Sequence, residues 1–280
     1  MRNVDASTVR DVDSTLLHSV PARLRRPGSM NDMNRALLPA LSSRLADLQP
    51  ARLTERLARL IWPAVCVICG QASDREEDCC SGCAAELPVP RGGCSRCGVV
   101  LARDVEICGS CQLSPPGFDR TIPAFEYQRS VAHLIQRFKF SGDLAAGRVL
   151  ARQAANRWLE SDVARPQLMV PVPLNWRRLW KRGFNQSEML CRDLAEHLDG
   201  LPWVGALTRA RPTATQSALP AGRRAGNVRG AFRLERLPPG VRHVALIDDV
   251  MTTGSTLDEC ARVLKRAGVA RVDAWVVARA

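Results

Sequence analysis

Eight of the chain's 11 cysteines fall into four CxxC pairs at a repeated spacing. Cys66 and Cys69 are followed after ten residues by Cys80 and Cys83, and Cys94 and Cys97 are followed after ten residues by Cys108 and Cys111. A CxxC turn sets two sulfurs on one side of a tight loop, and two such turns complete a tetrahedral site of four thiolates with no position left open for catalysis. Gly70 and Gly98 follow the first pair of each unit, where the missing side chain lets backbone amides approach the thiolates. The equal spacing favours two sequential Zn²⁺ sites over an interleaved arrangement, with iron as the rival metal. Cys79 has Ile107 as its counterpart in the other unit and is left out of the coordination. The metal would fold a segment too poor in apolar residues to build its own core.

A second chemistry lies in the run VALIDDVMTTGST, from Val244 to Thr256. An apolar strand leads into Asp248 and Asp249, and then into a loop of Thr, Gly and Ser that opens a helix. Backbone amides at a helix N-terminus bind a phosphate, and the hydroxyls of Thr252, Thr253, Ser255 and Thr256 add donors. Two adjacent carboxylates just before the loop suit a ribose 2′,3′-diol. A phosphate at one end and a diol at the other describe a 5-phosphoribosyl group. The lysine of a GxxxxGK[ST] loop is missing, which excludes that motif.

The elements that must position these groups follow from periodicity. Strands are predicted at 122–127, 168–172, 241–247 and 272–277, and helices at 130–140, 144–158, 184–198 and from the turn at 252–255 to about residue 267. Strands alternating with helices of this length predict an α/β domain with a mostly parallel sheet over 116–280. Leu53, Leu57, Leu60 and Ile61 mark a short amphipathic helix leading into the cysteine cluster, so 53–115 forms a small metal-bound domain. Residues 1–52 are polar, Arg-rich and aperiodic, and read as a disordered extension.

Composition narrows the classes. The stretch from Leu60 to Gly70 is the most apolar, and Pro63 interrupts it well short of the roughly 18 residues a spanning helix needs, so no membrane insertion is expected. Asp5, Arg10, Asp11 and Asp13 break any export signal, which predicts a cytoplasmic protein whose thiols serve as ligands. The net charge of +12 comes from 37 Arg and only 3 Lys against 28 acidic residues. Residues 165–236 carry 13 basic against 5 acidic side chains, hence 8 of that excess, which suits a polyanionic ligand.

The Asp-Asp-x-x-Thr-Thr-Gly-x-Thr run resembles the 5-phosphoribosyl-1-pyrophosphate (PRPP) loop of type I phosphoribosyltransferases. Within that superfamily the chain is similar to the ComF family, a double zinc ribbon followed by a phosphoribosyltransferase fold with a flexible hood. The resemblance rests on the cysteine repeat, then Val170-Pro171-Val172-Pro173-Leu174, then Arg182-Gly183-Phe184-Asn185-Gln186, then Gln216 and Leu219, then Arg224, Asn227, Gly230, Ala231 and Phe232. It covers about residues 60–280. It implies that Asp248 and Asp249 hold the ribose hydroxyls and that Val250, Met251, Thr252, Thr253, Gly254, Ser255 and Thr256 form the phosphate loop. The turn at Pro173 and Leu174 would contact pyrophosphate, and residues 209–230 would be the hood. Mg²⁺ would accompany PRPP, and Arg182 and Arg224 would stabilise the departing pyrophosphate of a phosphoribosyltransferase reaction. Purine-specific members carry an acidic residue where this loop has Thr252, and a threonine is no general base near neutral pH, which argues against a 6-oxopurine acceptor.

Trp176, Arg177, Arg178, Leu179, Trp180, Lys181, Arg182, Gly183 and Phe184 interleave three aromatics with four cations. Single-stranded DNA is bound by such surfaces, with bases stacked on aromatic faces and cations along the phosphates. The competing reading places Trp176 and Trp180, four residues apart, on the core side of a helical turn. The resemblance implies a role in natural competence, in uptake and processing of single-stranded DNA with a competence helicase as partner. The alternative is an enzyme moving phosphoribose to an acceptor without any DNA role. His133, His197 and His243 read as ordinary surface or core residues. Metal analysis of the purified chain is expected to find two zinc ions per molecule, and a value well below that overturns the cysteine assignment.

Overall fold

A computed structural model describes residues 64–75, 77–101, 105–210 and 229–280. The predicted extension, the helix at Leu53–Ile61, and Gln216, Leu219, Arg224 and Asn227 lie outside the described residues. Two short helices come first, α1 (Ser81–Ala85) and α2 (Gly109–Leu113). Then follow β1 (Arg120–Glu126), α3 (Arg129–Gln136), a π turn (Arg137–Ser141), α4 (Leu144–Glu160), β2 (Leu168–Pro171), α5 (Trp176–Arg182) and α6 (Gln186–His197). The chain continues through β3 (Leu207–Arg209), β4 (Phe232–Leu234), β5 (His243–Met251), α7 (Ser255–Arg266) and β6 (Arg271–Arg279).

The main sheet has the order β1-β6-β5-β2 and every pairing in it is parallel. Its central strands read as continuous apolar runs because helices cover both faces. Ala245 and Ile247 of β5 and Trp275 and Val277 of β6 face α3, α4 and α6. Their neighbours Val244, Leu246, Ala274 and Val276 face α7 and the separate antiparallel pair β3-β4. Alternation along each strand thus builds two cores on one sheet. This is the mostly parallel, helix-flanked architecture expected from the sequence. Among the described residues no helix is long and apolar enough to cross a membrane.

Three of the boundaries that differ from expectation bear on the site. β5 runs four residues past Ile247 because Val250 and Met251 keep pairing with Ala278 and Arg279, so the two aspartates sit on the strand's end and not in a loop. α6 starts at Gln186 because Asn185 caps it, accepting a hydrogen bond from Ser187 N at 3.2 Å. The helix predicted to reach Phe140 ends as the π turn, which closes at Gly142 in the left-handed conformation.

The cysteine units dock on this sheet and share its core. Cys79 and Leu87 are buried with the residues of α3 and α4. Glu77 is buried against Arg152 (3.1 Å) and Gln153 (3.0 Å) of α4, and Glu126 N donates to Pro88 O. Gly147 of α4 makes room for the fully buried ring of Phe138, since a Cβ there would lie 2.6 Å from it. Gly147→Ala is therefore expected to destabilise the protein by about 1–3 kcal/mol through overpacking, despite the gain of up to about 1 kcal/mol in helix propensity. Denaturant midpoints compare the two proteins, and an unchanged or higher midpoint refutes the packing account.

Candidate zinc and phosphoribosyl sites

The eight predicted sulfurs form two groups, Cys66, Cys69, Cys80 and Cys83 in one and Cys94, Cys97, Cys108 and Cys111 in the other, each within 4.8 Å of one another. This is the sequential pairing. A zinc bound by four thiolates at about 2.3 Å needs sulfurs about 3.8 Å apart. Cys69 and Cys80 lie at 3.9 Å, and Cys97 and Cys108 at 3.7 Å, and no sulfur of a group is more than 4.8 Å from another, so both donor sets suit the ion.

The sequence repeat extends to the backbone. Gly70 N donates to Cys66 O and Gly98 N to Cys94 O, Cys66 N to Gln71 O and Cys94 N to Val99 O, and Val67 N to Asp78 O and Ser95 N to Glu106 O. Both glycines adopt the left-handed conformation. Burial pushes the Cys66 thiol up, yet hydrogen bonds from the backbone of Cys69, Cys80 and Ile68 outweigh it and bring it down to about 6. Cys94, its counterpart, is likewise brought to about 6 by the backbone of Cys108, Cys97 and Arg96 against its burial. Burial and the neighbouring sulfurs push Cys83 and Cys111 the other way, and burial does the same to Cys97, so a metal must displace protons from these three ligands. Cys79 stands apart, fully buried, with burial pushing its thiol up to about 12.

The second site opens at the C-terminal ends of β2 and β5, where parallel sheets bind ligands. A cavity of about 1020 Å³ lies there. Every described residue proposed for the phosphoribosyl group lines it: Asp248 to Thr256, Pro173, Leu174 and Arg182. Asp248 accepts from Ser187 Oγ at 3.2 Å and from Asp249 N at 3.0 Å. Burial, and then the Asp249 carboxylate beside it, push its carboxyl up to about 7. Beyond the pair, Gly254 takes a left-handed conformation that lets the chain turn into α7, and a Cβ there would meet the Met251 methyl at 2.5 Å. Thr253 and Ser255 hydroxyls lie 2.9 Å apart beside the amides that open α7.

Across the cavity, Arg182 donates to Gln186 Oε1 at 2.9 Å and stacks 5.2 Å from the centre of the Phe140 ring. Burial lowers its basicity while the Asp249 carboxylate raises it. The Arg-Gly-Phe-Asn-Gln motif is a helix stop followed by a helix start. Gly183 ends α5 in the left-handed conformation, and Asn185 caps α6 while donating to Val172 O at the start of the Pro173 turn.

Sequence reasoning missed Lys139, which lines the cavity and makes a 2.9 Å ion pair with Asp249. Its signal was compositional, one of three lysines among 37 arginines. Arg209 and Ser187 also line the cavity and were not singled out. The DNA candidates divide. Arg178 and Lys181 line the cavity, whereas Trp176, Arg177 and Trp180 do not. The core reading of the two tryptophans is overturned, because α5 buries none of its residues and Trp176 and Trp180 are 54% and 87% exposed. His243 has a partner, Asp273, at 2.9 Å, and stands at the opposite end of β5 from the acidic pair.

The comparisons with known proteins agree with this arrangement. The family model of the double zinc ribbon domain matches residues 57–112. DNA utilization protein YhgH of Escherichia coli (strain K12) is 38% identical over 204 residues, covering 71% of this chain and 89% of that protein. Competence protein F of Haemophilus influenzae is 35% identical over 227 residues, covering 77% of this chain and 96% of that protein. Among solved structures, a glutamine PRPP amidotransferase from B. subtilis aligns at 20% identity and a TM-score of 0.32, over 47% of this chain and 26% of its own length. The chain thus spans about a quarter of that enzyme, and so partial an overlap carries no weight here.

Asp248 gives the site a pH signature. Between about pH 4, where an ordinary aspartate titrates, and about 7, the folded protein holds a proton that the unfolded chain has released. This carboxyl's cost to folding therefore grows as pH rises and is complete above about 7. Asp248→Asn keeps an acceptor for Ser187 and removes the charge. It is expected to raise Tm at pH 8 and to match the parent near pH 4; an equal Tm difference at both pH values contradicts the burial account.

Proposed function

The chain belongs to the ComF family, and from that premise we propose that it binds PRPP with Mg²⁺ in the cavity and handles single-stranded DNA along α5 in natural competence. The observation that carries the first half is the succession at the end of β5. Two adjacent carboxylates, the turn at Gly254 and the open amides of α7 follow one another along one wall, with Arg182 opposite. Asp248 and Asp249 accept the ribose hydroxyls, and the residues from Thr252 to Thr256 donate to the 5′-phosphate. Arg182, and Arg224 from beyond the described residues, offset the charge of the pyrophosphate. The pyrophosphate and ribose oxygens would hold Mg²⁺, whose charge would make the pyrophosphate a better leaving group.

The DNA half rests on α5. Trp176 and Trp180 are 54% and 87% exposed, Arg177 lies over the Trp176 ring at 5.3 Å, and Arg178 and Lys181 lie between and beside the two rings in the sequence. Two relatives carry names of DNA utilization and competence, which supports the same reading.

A second reading, transfer of phosphoribose to an acceptor, is favoured by the cavity itself. Its volume is at the upper end of the roughly 300–1,000 Å³ of small-molecule sites, and Phe140, 76% exposed, stands at its rim for a planar acceptor to stack on.

Calorimetry with PRPP and Mg²⁺, paired with titration of a fluorescent oligothymidylate at low salt, tests both halves. PRPP is expected to bind, and Asp249→Asn to weaken it at least about tenfold, as loss of a charged hydrogen-bonding partner does. Trp180→Ala is expected to weaken the oligonucleotide by about 1–3 kcal/mol and leave PRPP unaffected. No heat with PRPP removes the first half; no binding of the single strand removes the second. Pyrophosphate release with any acceptor would establish the transferase reading.

A further inference from the structure

Each zinc loop touches the phosphoribosyl site through one arginine. Val67, between the ligands Cys66 and Cys69, presents its carbonyl to Arg137 Nη1 at 2.5 Å. The same guanidinium holds Asp143 through Nε at 2.9 Å and Nη2 at 2.5 Å, closing the π turn from which Lys139 reaches Asp249. In the second unit the ligand residue Cys97 presents its own carbonyl to Arg279 Nε at 2.9 Å. Nη1 of that arginine donates to Met251 O at 3.1 Å, and Met251 is the residue at which β5 gives way to the phosphate loop. Thr121 adds a parallel strut, its hydroxyl donating to Arg96 O at 2.7 Å and lying 3.7 Å from Met251 Sδ.

We propose that the two zinc sites are structural parts of the phosphoribosyl site, and that Arg137 and Arg279 are the positioning residues that connect them to it. A carbonyl inside a CxxC turn, as at Val67, or on its last ligand, as at Cys97, has its direction fixed most firmly while the metal holds the thiolates of that turn. Without the ion, four thiol groups crowded within 4.8 Å are kept together only by the few backbone bonds of the two turns, such as Val67 N to Asp78 O and Ser95 N to Glu106 O. The turn then opens, and the arginine loses one of the carbonyls it bridges. Site 1 acts on the acidic pair through Lys139, and site 2 acts on the start of the phosphate loop. Zinc occupancy therefore raises ligand affinity, and by linkage the ligand slows the loss of zinc. The proposal rests on PRPP as the ligand of the cavity.

The test uses the full zinc-loaded chain, with zinc release followed by a chromogenic chelator and PRPP affinity by calorimetry in Mg²⁺. Saturating PRPP is expected to slow zinc release from the parent protein by about fivefold or more. Arg137→Met and Arg279→Met are expected to purify with two zinc ions, to bind PRPP about five- to tenfold more weakly, and to release zinc at a rate PRPP no longer changes. The proposal is overturned if bound PRPP leaves the parent's zinc release unaltered, or if the zinc-loaded variants bind and respond as the parent does. Where a methionine variant does not fold, the lysine variant at that position keeps the charge, cannot span both partners, and is read in its place. If PRPP does not bind the parent at all, the functional reading fails by itself. Hydrogen exchange over residues 248–256 then decides the coupling: faster exchange in zinc-loaded Arg279→Met supports it, and unchanged exchange refutes it.

Discussion

Two adjacent carboxylates at the end of a buried strand are the constraint around which the rest is arranged. Their mutual repulsion and the loss of water around Asp248 both oppose ionisation, and burial is the larger of the two. The protein offsets this with groups drawn from separate elements. Lys139 comes from the π turn, Ser187 from the first turn of α6, and the Asp249 amide from the strand itself. Each can reach the pair only if its element is held at the C-terminal edge of the sheet. Two devices supply that hold: the Asn185 cap and the burial of Phe138 between Gly147 and Phe184, whose ring lies 5.5 Å away. A carboxyl pushed this far from its ordinary ionisation by burial and a like charge, in the wall of a cavity, is a mark of functional sites.

The π turn explains why the cysteine units cannot be treated as an appendage. In four successive residues, Arg137 reaches a zinc loop, Phe138 enters the core, Lys139 meets Asp249 and Phe140 stands at the cavity rim. A regular α-helix would place these side chains about 100° apart, and the wider turn changes that sequence of directions. Such turns are frequent at functional sites for this reason. On the other side of the sheet the missing Cβ of Gly98 lets the second zinc turn approach Thr121, since a Cβ there would lie 3.1 Å from its methyl group. The ribbons are thus held at both ends of the site by contacts that neither could make alone.

Most of this was legible in the sequence where a feature is local. The cysteine spacing carries the zinc sites because both halves of each tetrahedron lie within one short unit. Asp248 to Thr256 carry the acidic pair and the turn into α7 because strand, turn and helix start follow one another directly. What was not legible depends on partners distant along the chain. Nothing near Lys139 indicates Asp249, and no periodicity distinguishes a π turn from the end of an α-helix. The spacing of Trp176 and Trp180 fits a buried stripe and an exposed one equally well. Only the exposure of α5, which buries none of its residues, decides between them. The extension of β5 past Ile247 likewise depends on β6, which offers backbone partners as far as Arg279.

Lysine usage connects these observations. The chain uses arginine almost everywhere a cation is wanted, yet two of its three lysines, Lys139 and Lys181, line the same cavity. The third, Lys265, bonds Ala270 O near the end of α7 and pairs with Asp119. Arginine would pair with Asp249 through a planar fork of two parallel hydrogen bonds, a geometry that fixes both partners. A lysine ammonium is a compact point charge on a flexible stem, and it can turn from one oxygen to another without breaking a bidentate pair. Beside a carboxylate pair proposed to accept hydroxyls from PRPP, a cation that releases its partner readily is worth more than one that binds it best. Arg182, which holds a neutral glutamine and stacks on Phe140, has no such exchange to make.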